Sequence, residues 1–237
     1  MRAIEFAGTI CAGKMTLLEE IKRELPGNIE TETIAQDLVI HVEMEGEGYF
    51  ERQVWLANDV TNRLLRFRKL QMSNLVVLVH RGLYDAQAFM MAYVKANLVP
   101  PARARPQIAA WEANAKSLTD FVILVKTPVE IAFQRAKRKF ATLFRLKDRD
   151  AVFEQKFFEA LDQAYAELER KLPSKSSLVV DGSKPVKENK ERILEAIAQL
   201  LKPEKGLTPE VNSQEEGGAG WKMRIGEKSL IKKMALT

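Results

Sequence analysis

This sequence predicts an α/β protein built on a five-stranded parallel sheet flanked by helices, and three observations carry that expectation. Apolar, β-branched runs recur at "AIEFA", "NLVVLVH", "DFVILVK" and "SLVVDGS", as expected of strands covered on both faces. Helical spacing of apolar residues fills the intervals between them. Strands alternating with helices imply βαβ units and hence a parallel sheet. A weaker run, "NIETET", supplies a fifth strand near position 30.

The elements follow in order. After "AIEFA", "TLLEEIKREL" places Leu17, Leu18, Ile21 and Leu25 on one helical face, and Pro26-Gly27-Asn28 ends it. From Tyr49 to Met72 no glycine or proline interrupts a helical stripe of Phe50, Val54, Ala57, Val60, Leu64 and Phe67. Trp55, Leu56 and Leu65 widen that stripe, so the helix is expected to face the sheet and a second surface. "DAQAFMMAYVKANL" is the next helix, with Asp85 a candidate cap; Pro100-Pro101 stops it, and a short helix over 107–116 follows. Thr127, Pro128 and Glu130 then read as a capped helix start. A helix over 151–172 ends at Pro173, and "VKENKERILEAIAQLL" closes the domain, expected to span 1–203. Residues 204–237 lack periodicity at first and then turn basic, as in a flexible C-terminal tail.

Bulk composition narrows the function classes. With 46% hydrophobic and 29% charged residues in 237, the chain reads as one soluble domain with a substantial core. No run approaches the roughly eighteen apolar residues of a membrane span, and Glu5 breaks the only apolar start, so neither a membrane partner nor a signal peptide is expected. A single cysteine excludes an intrachain disulfide framework and points to the cytoplasm. Against 32 acidic residues the 37 basic ones leave a net charge of only +5, much of it in "RAKRKF" and the tail, so nucleic acid is not the expected partner. Two histidines and one cysteine exclude a dedicated metal-ligand set.

Three motifs carry chemistry. Gly8-x-x-x-x-Gly13-Lys14 lies between a strand and an amphipathic helix. In that context glycines let the backbone curl round a phosphate, loop amides and the helix N-terminus bind it, and lysine reaches the terminal phosphates. The expected nucleotide-binding residues are Gly8, Ala12, Gly13, Lys14, Met15 and Thr16, together with Arg135 further along the chain. Met15, however, offers no oxygen where such loops place a hydroxyl for Mg²⁺, and Cys11 sits within the loop. The second motif, "VVLVHRGLYDAQAF", puts Arg81 just past a buried strand, at the sheet edge where ligands bind. Arg81 is a candidate phosphate ligand, and Asp85 a candidate for either a substrate contact or the helix cap. The third, "AFQRAKRKFATLFRLKDRD", offers Arg135, Arg138 and Arg145 for charge neutralisation or a solvated helix face.

Together these motifs resemble the thymidylate kinase and deoxynucleoside kinase branch of the P-loop kinases over residues 1 to about 201. "GTICAGKMTL" is similar to the family's first loop, with Cys11 in place of glycine and Met15 in place of serine or threonine. In "HRGLYDAQAF", Arg81, Asp85, Ala88 and Phe89 fit a family signature, while His80 stands where an acid is expected. "TPVEIAFQRAKRK" resembles the strand-to-lid segment, and "VVDGSKPVKENKERI" the last strand and helix, whose loop lies against the adenine. The resemblance implies a P-loop three-layer α/β/α fold, an ATP site at the first loop, and phosphoryl transfer to a small nucleoside or nucleotide acceptor. A low-turnover nucleotide-binding protein is the alternative. It also implies a homodimer through long helices, with Glu32 (Asp37 behind it) as base and with Lys14, Arg81 and Arg138 in catalysis. Met15 and His80 remove two oxygens that the family uses around Mg²⁺, so ATP is the expected cofactor and Mg²⁺ a doubtful one.

Overall fold

The computed structural model describes residues 1–35, 48–141 and 154–202; the expectations for Asp37, Arg145 and the tail lie outside them. The elements in chain order are β1 (Arg2–Gly8), α1 (Lys14–Glu24), β2 (Glu30–Ala35), α2 (Tyr49–Lys69), β3 (Leu75–His80), α3 (Leu83–Lys95) and α4 (Pro101–Leu118). Then come β4 (Phe121–Lys126), α5 (Val129–Lys139), α6 (Gln155–Glu169), a short 3₁₀ turn (Ser174–Ser176), β5 (Ser177–Asp181) and α7 (Val186–Leu200). All described strand pairs are parallel, in the order β2-β3-β1-β4-β5. This is the three-layer α/β/α fold expected.

The three central strands, β1, β3 and β4, read as largely apolar runs because each face has its own helical cover. Ile4 and Phe6 of β1, Val76 and Leu78 of β3, and Ile123 and Val125 of β4 pack with Leu17, Leu18 and Ile21 of α1 and Ile193 and Ile197 of α7. Alternate residues, among them Ala3, Ala7, Val77, Val79, Val122 and Leu124, join the larger core under α2, α3, α4 and α6. Aromatic rings fasten that second layer: Tyr93 of α3 stacks on Phe157 of α6 at 5.3 Å between centroids and meets Tyr49 of α2 at 5.2 Å. Such pairs add about 0.5–1.5 kcal/mol each beyond their buried area.

Several local expectations are corrected. α3 begins at Leu83, so Asp85 is its third residue and not its cap. α4 is longer than 107–116, running from Pro101 to Leu118. Pro101 lies at its first position, where a missing N–H costs nothing, and Pro106 is absorbed inside the helix. The T-x-x-E capping box does not form: Pro128 takes the cap position, with no side-chain cap bond.

Registers align the carboxyl ends of the strands. Phe6 lies opposite His80, Ala35 also faces His80, and Gly8 faces Val125. The residues after β1, β3 and β4 therefore emerge side by side.

Candidate functional site

At that edge the β1–α1 loop, the turn after β3, the C-terminal half of α5 and the β5–α7 loop line a cleft of about 600 Å³. Gly8 takes φ +144° and Gly13 φ +101°, both left-handed-side values that favour glycine. Cys11, at φ +57°, occupies the left-handed region without that freedom, a local cost of the order of 1 kcal/mol. Gly13 caps α1, and Lys14 is that helix's first residue.

Lys14 is 3% exposed, and its Nζ donates to the carbonyls of Gly8 (2.5 Å) and Thr9 (2.7 Å). Burial, with the Arg81 guanidinium next in effect, pulls its ammonium group down to about 7. The loop is pinned to the rest of the fold from two sides. Thr127 Oγ1 donates to the Ala12 carbonyl at 3.1 Å, so the residue expected to cap α5 serves the loop. Gly182, just after β5, packs so closely that a Cβ there would lie 2.1 Å from the Ala12 oxygen and 2.3 Å from Thr127 Oγ1. Gly182→Ala is accordingly expected to shift the loop and lower the melting temperature by several degrees, roughly 2 kcal/mol; calorimetric melting checks it, and an unchanged melting temperature would contradict the packing.

Arg81 also sits at positive φ, +65°, so the chain turns sharply on leaving β3. Its guanidinium lies 4.7 Å from the centre of the Phe89 ring and donates to Asp85 Oδ2 at 3.3 Å. Asp85 Oδ1 accepts the Gly8 amide at 3.1 Å and the hydroxyl of Tyr165 from α6. With Asp85 2% exposed and three protein donors on its oxygens, it holds Arg81 and the loop in place and does not face the cleft.

Beneath Asp85 lies a residue that the sequence presents only as a flaw in a strand. Glu5, in mid-β1 and 0% exposed, accepts the amides of Asp85 (2.8 Å) and Tyr84 (3.2 Å), the first-turn donors of α3. Gly82 makes room for it, since a Cβ there would sit 2.4 Å from Glu5 Oε2. Burial pushes the Glu5 carboxyl up to about 8; the amide bonds pull the other way without winning.

These two buried groups predict a pH profile. Between about 4.5 and about 8 the native state holds a proton on Glu5 that the unfolded chain has lost. Stability therefore falls as pH rises through that window, by up to ~1.4 kcal/mol per unit. Lys14 acts in the opposite sense, since above about 7 the unfolded lysine keeps a proton that the native one has released, and stability recovers toward 10.5. The melting temperature should pass through a minimum at about pH 7–8, and Glu5→Gln should flatten the acid limb alone. An acid limb that persists in Glu5→Gln would refute the assignment.

Of the residues expected from sequence, the cleft lining contains Ala12, Gly13, Lys14, Met15, Thr16, Arg81 and Arg135. Arg135 donates to the Gly182 carbonyl at 2.9 Å. Arg138 is exposed and lies outside that lining; Lys139, one residue on, lines it. Glu32 is not brought to the site: it pairs with Val77 in mid-sheet, three residues before the end of β2. At about 3.3 Å per residue, that leaves it roughly 10 Å short of the carboxyl edge. Lys184 and Asn189 also join the lining. The α5 basic run signalled Lys139; the sequence pattern marked Thr127 only as a helix cap, and nothing in it pointed to roles for Glu5, Tyr165 or Gly182.

Parallel order, loop and cleft together define a P-loop kinase fold of the deoxynucleoside kinase type, and solved structures agree. The chain is similar to deoxyadenosine kinase from M. mycoides with dCMP and a flexible dCDP bound, at TM-score 0.62 and 20% identity over 83% of this chain and 99% of that one. The dATP-bound form of that enzyme gives TM-score 0.60 at 20% identity, covering 84% and 100%. Its dCTP-bound form gives 0.54 at 22%, covering 83% and 99%. No protein-family model matches the chain, and no curated protein does.

Proposed function

We propose that this chain is an ATP-dependent phosphotransferase acting on a nucleoside or nucleoside monophosphate. The observation that carries the reading is the convergence of the β1–α1 loop, Lys14, Arg81 and Arg135 on one cleft at the carboxyl edge of the sheet. In this reading loop amides and Lys14 hold the β- and γ-phosphates, and Arg81 and Arg135 neutralise charge that develops on the transferred group. Asp85, Glu5 and Tyr165 act as positioning residues for Arg81. The fold shared with a deoxyadenosine kinase whose structures hold deoxynucleotides supports a deoxynucleoside-type acceptor.

The same reading includes a homodimer through α2, which leaves Trp55 (50%) and Leu65 (44%) exposed. A cytoplasmic setting fits the single cysteine, Cys11; among the described residues no helix is long and apolar enough to cross a membrane.

The test is ADP formation from ATP with a panel of deoxynucleosides and nucleoside monophosphates, with Lys14→Ala alongside. Acceptor-dependent product that the variant lacks supports transfer. A second reading, a nucleotide-binding protein of low turnover, is favoured by the position of Glu32, away from the cleft. It predicts that ATP raises the melting temperature while no acceptor yields product. Neither product nor stabilisation would dismiss both.

A further inference from the structure

The cleft's donor set does not suit Mg²⁺. This hard cation takes oxygen ligands, carboxylates above all. Met15 offers a thioether, and among the described lining residues there is no aspartate or glutamate. Asp85 is committed to Gly8, Tyr165 and Arg81. Among the described lining residues the side-chain oxygens are the Thr16 hydroxyl, about 100° further round α1 than Met15, and the amide oxygen of Asn189. No cluster of three His, Cys, Asp or Glu side chains exists among the described residues.

Cations take up the space instead. Lys14, Arg81, Arg135, Lys139 and Lys184 all line the cleft. Two of them have acidic partners: Arg81 pairs with Asp85 at 3.3 Å, and Lys184 with Glu188 at 2.6 Å. Arg135 donates to a backbone carbonyl and has no carboxylate partner among the described residues, while Lys14, on two carbonyls, has only the nearby Asp85, already paired with Arg81. Lys139, one turn after Arg135 on α5, is exposed and has no carboxylate partner among the described residues; its ammonium group lies 5.4 Å from the Phe140 ring centre. Such a wall concentrates positive potential where a metal-bound phosphate chain would already be half neutralised.

We propose that the cleft takes the phosphate chain of a nucleotide free of divalent metal, with Arg135 and Lys139 supplying the counter-charge. The inference rests on the nucleotide-binding part of the function proposed above and names the ionic form of the ligand. The geometry also explains Met15: with side-chain cations carrying the neutralisation, the position after Lys14 has no ion to hold and accepts an apolar side chain.

The test is calorimetric titration of the full chain with ATP, in EDTA and again in excess MgCl₂. The expected result is binding in EDTA at least as tight as in MgCl₂, with a difference of no more than about threefold. Lys139→Gln, exposed and so without effect on folding, should weaken ATP binding in EDTA by about tenfold and less in MgCl₂, where the ligand carries less charge. Inorganic tripolyphosphate should displace ATP in EDTA, which separates recognition of the phosphate chain from recognition of the base. Binding that tightens by more than about threefold in MgCl₂, or a Lys139→Gln variant that binds like the intact protein, would overturn the inference and leave the function proposed above standing. Failure of tripolyphosphate to compete would also overturn it. Absence of ATP binding in both buffers would withdraw the nucleotide reading itself, and this inference with it.

Discussion

Gly8→Ala is expected to destabilise the protein by roughly 4 kcal/mol, enough to unfold a marginal domain. The backbone at Gly8 holds φ +144°, which an alanine adopts only under strain, and its Cβ would lie 2.2 Å from the Val125 carbonyl oxygen. Neither neighbour can yield, because Gly8 and Val125 are register partners of β1 and β4, and the Gly8 amide also donates to Asp85. Gly13→Ala is the matched control. It too has positive φ, but nothing lies within 4 Å of the added carbon, so its cost is that of the dihedral alone, about 1–2 kcal/mol. Urea denaturation of both variants checks the contrast. A Gly8→Ala midpoint as mild as that of Gly13→Ala would show that the strand end is more compliant than its pairing implies.

Lys14→Ala is expected to weaken nucleotide binding by roughly a hundredfold or more, since it removes the one ammonium group set inside the loop. The same residue gives a sharper signature. At pH 8 most of the unliganded Lys14 is neutral, because burial and Arg81 hold it near 7. A phosphate chain beside it favours the charged form, so binding should take up a proton from the buffer. Titrations at pH 8 in two buffers of different ionisation enthalpy will then give different apparent enthalpies, and Lys14→Met should remove most of that difference. Identical enthalpies in both buffers for the intact protein would mean that Lys14 does not meet the ligand.

The fold was legible because three of its strands, β1, β3 and β4, are covered on both faces, and a strand so covered can carry little but apolar residues; β5, at the sheet edge, is only partly covered despite its apolar run. The turn between β1 and α1 was legible for a related reason: two backbone positions need glycine, and Gly8 and Gly13 stand there between a strand and a helix. What the sequence hid lies in contacts between distant residues. Glu5 reads as an interruption of "AIEFA", and its role exists only because α3 starts directly over mid-β1. Thr127 satisfies every local rule for a helix cap, yet the loop 115 residues earlier claims its hydroxyl. Glu32 was misplaced because nearness in sequence to the end of β2 says nothing about register, which pairing with β3 sets. Arg138 and Lys139 differ by one residue in sequence and by about 100° around α5. A run of consecutive basic residues does not disclose which of them faces the cleft.

β2 is the outermost strand beside β3, and its sequence is Glu30-Thr31-Glu32-Thr33 before the apolar Ile34. That carries a consequence for assembly. A second molecule that extended the sheet there by pairing with the same strand would set carboxylates near carboxylates along the new seam, and like charges across strands repel. The acidic strand thus disfavours strand-to-strand stacking at the β2 edge. The opposite edge, β5, carries Leu178-Val179-Val180 and has no such row of carboxylates, so the sheet guards its two edges unequally.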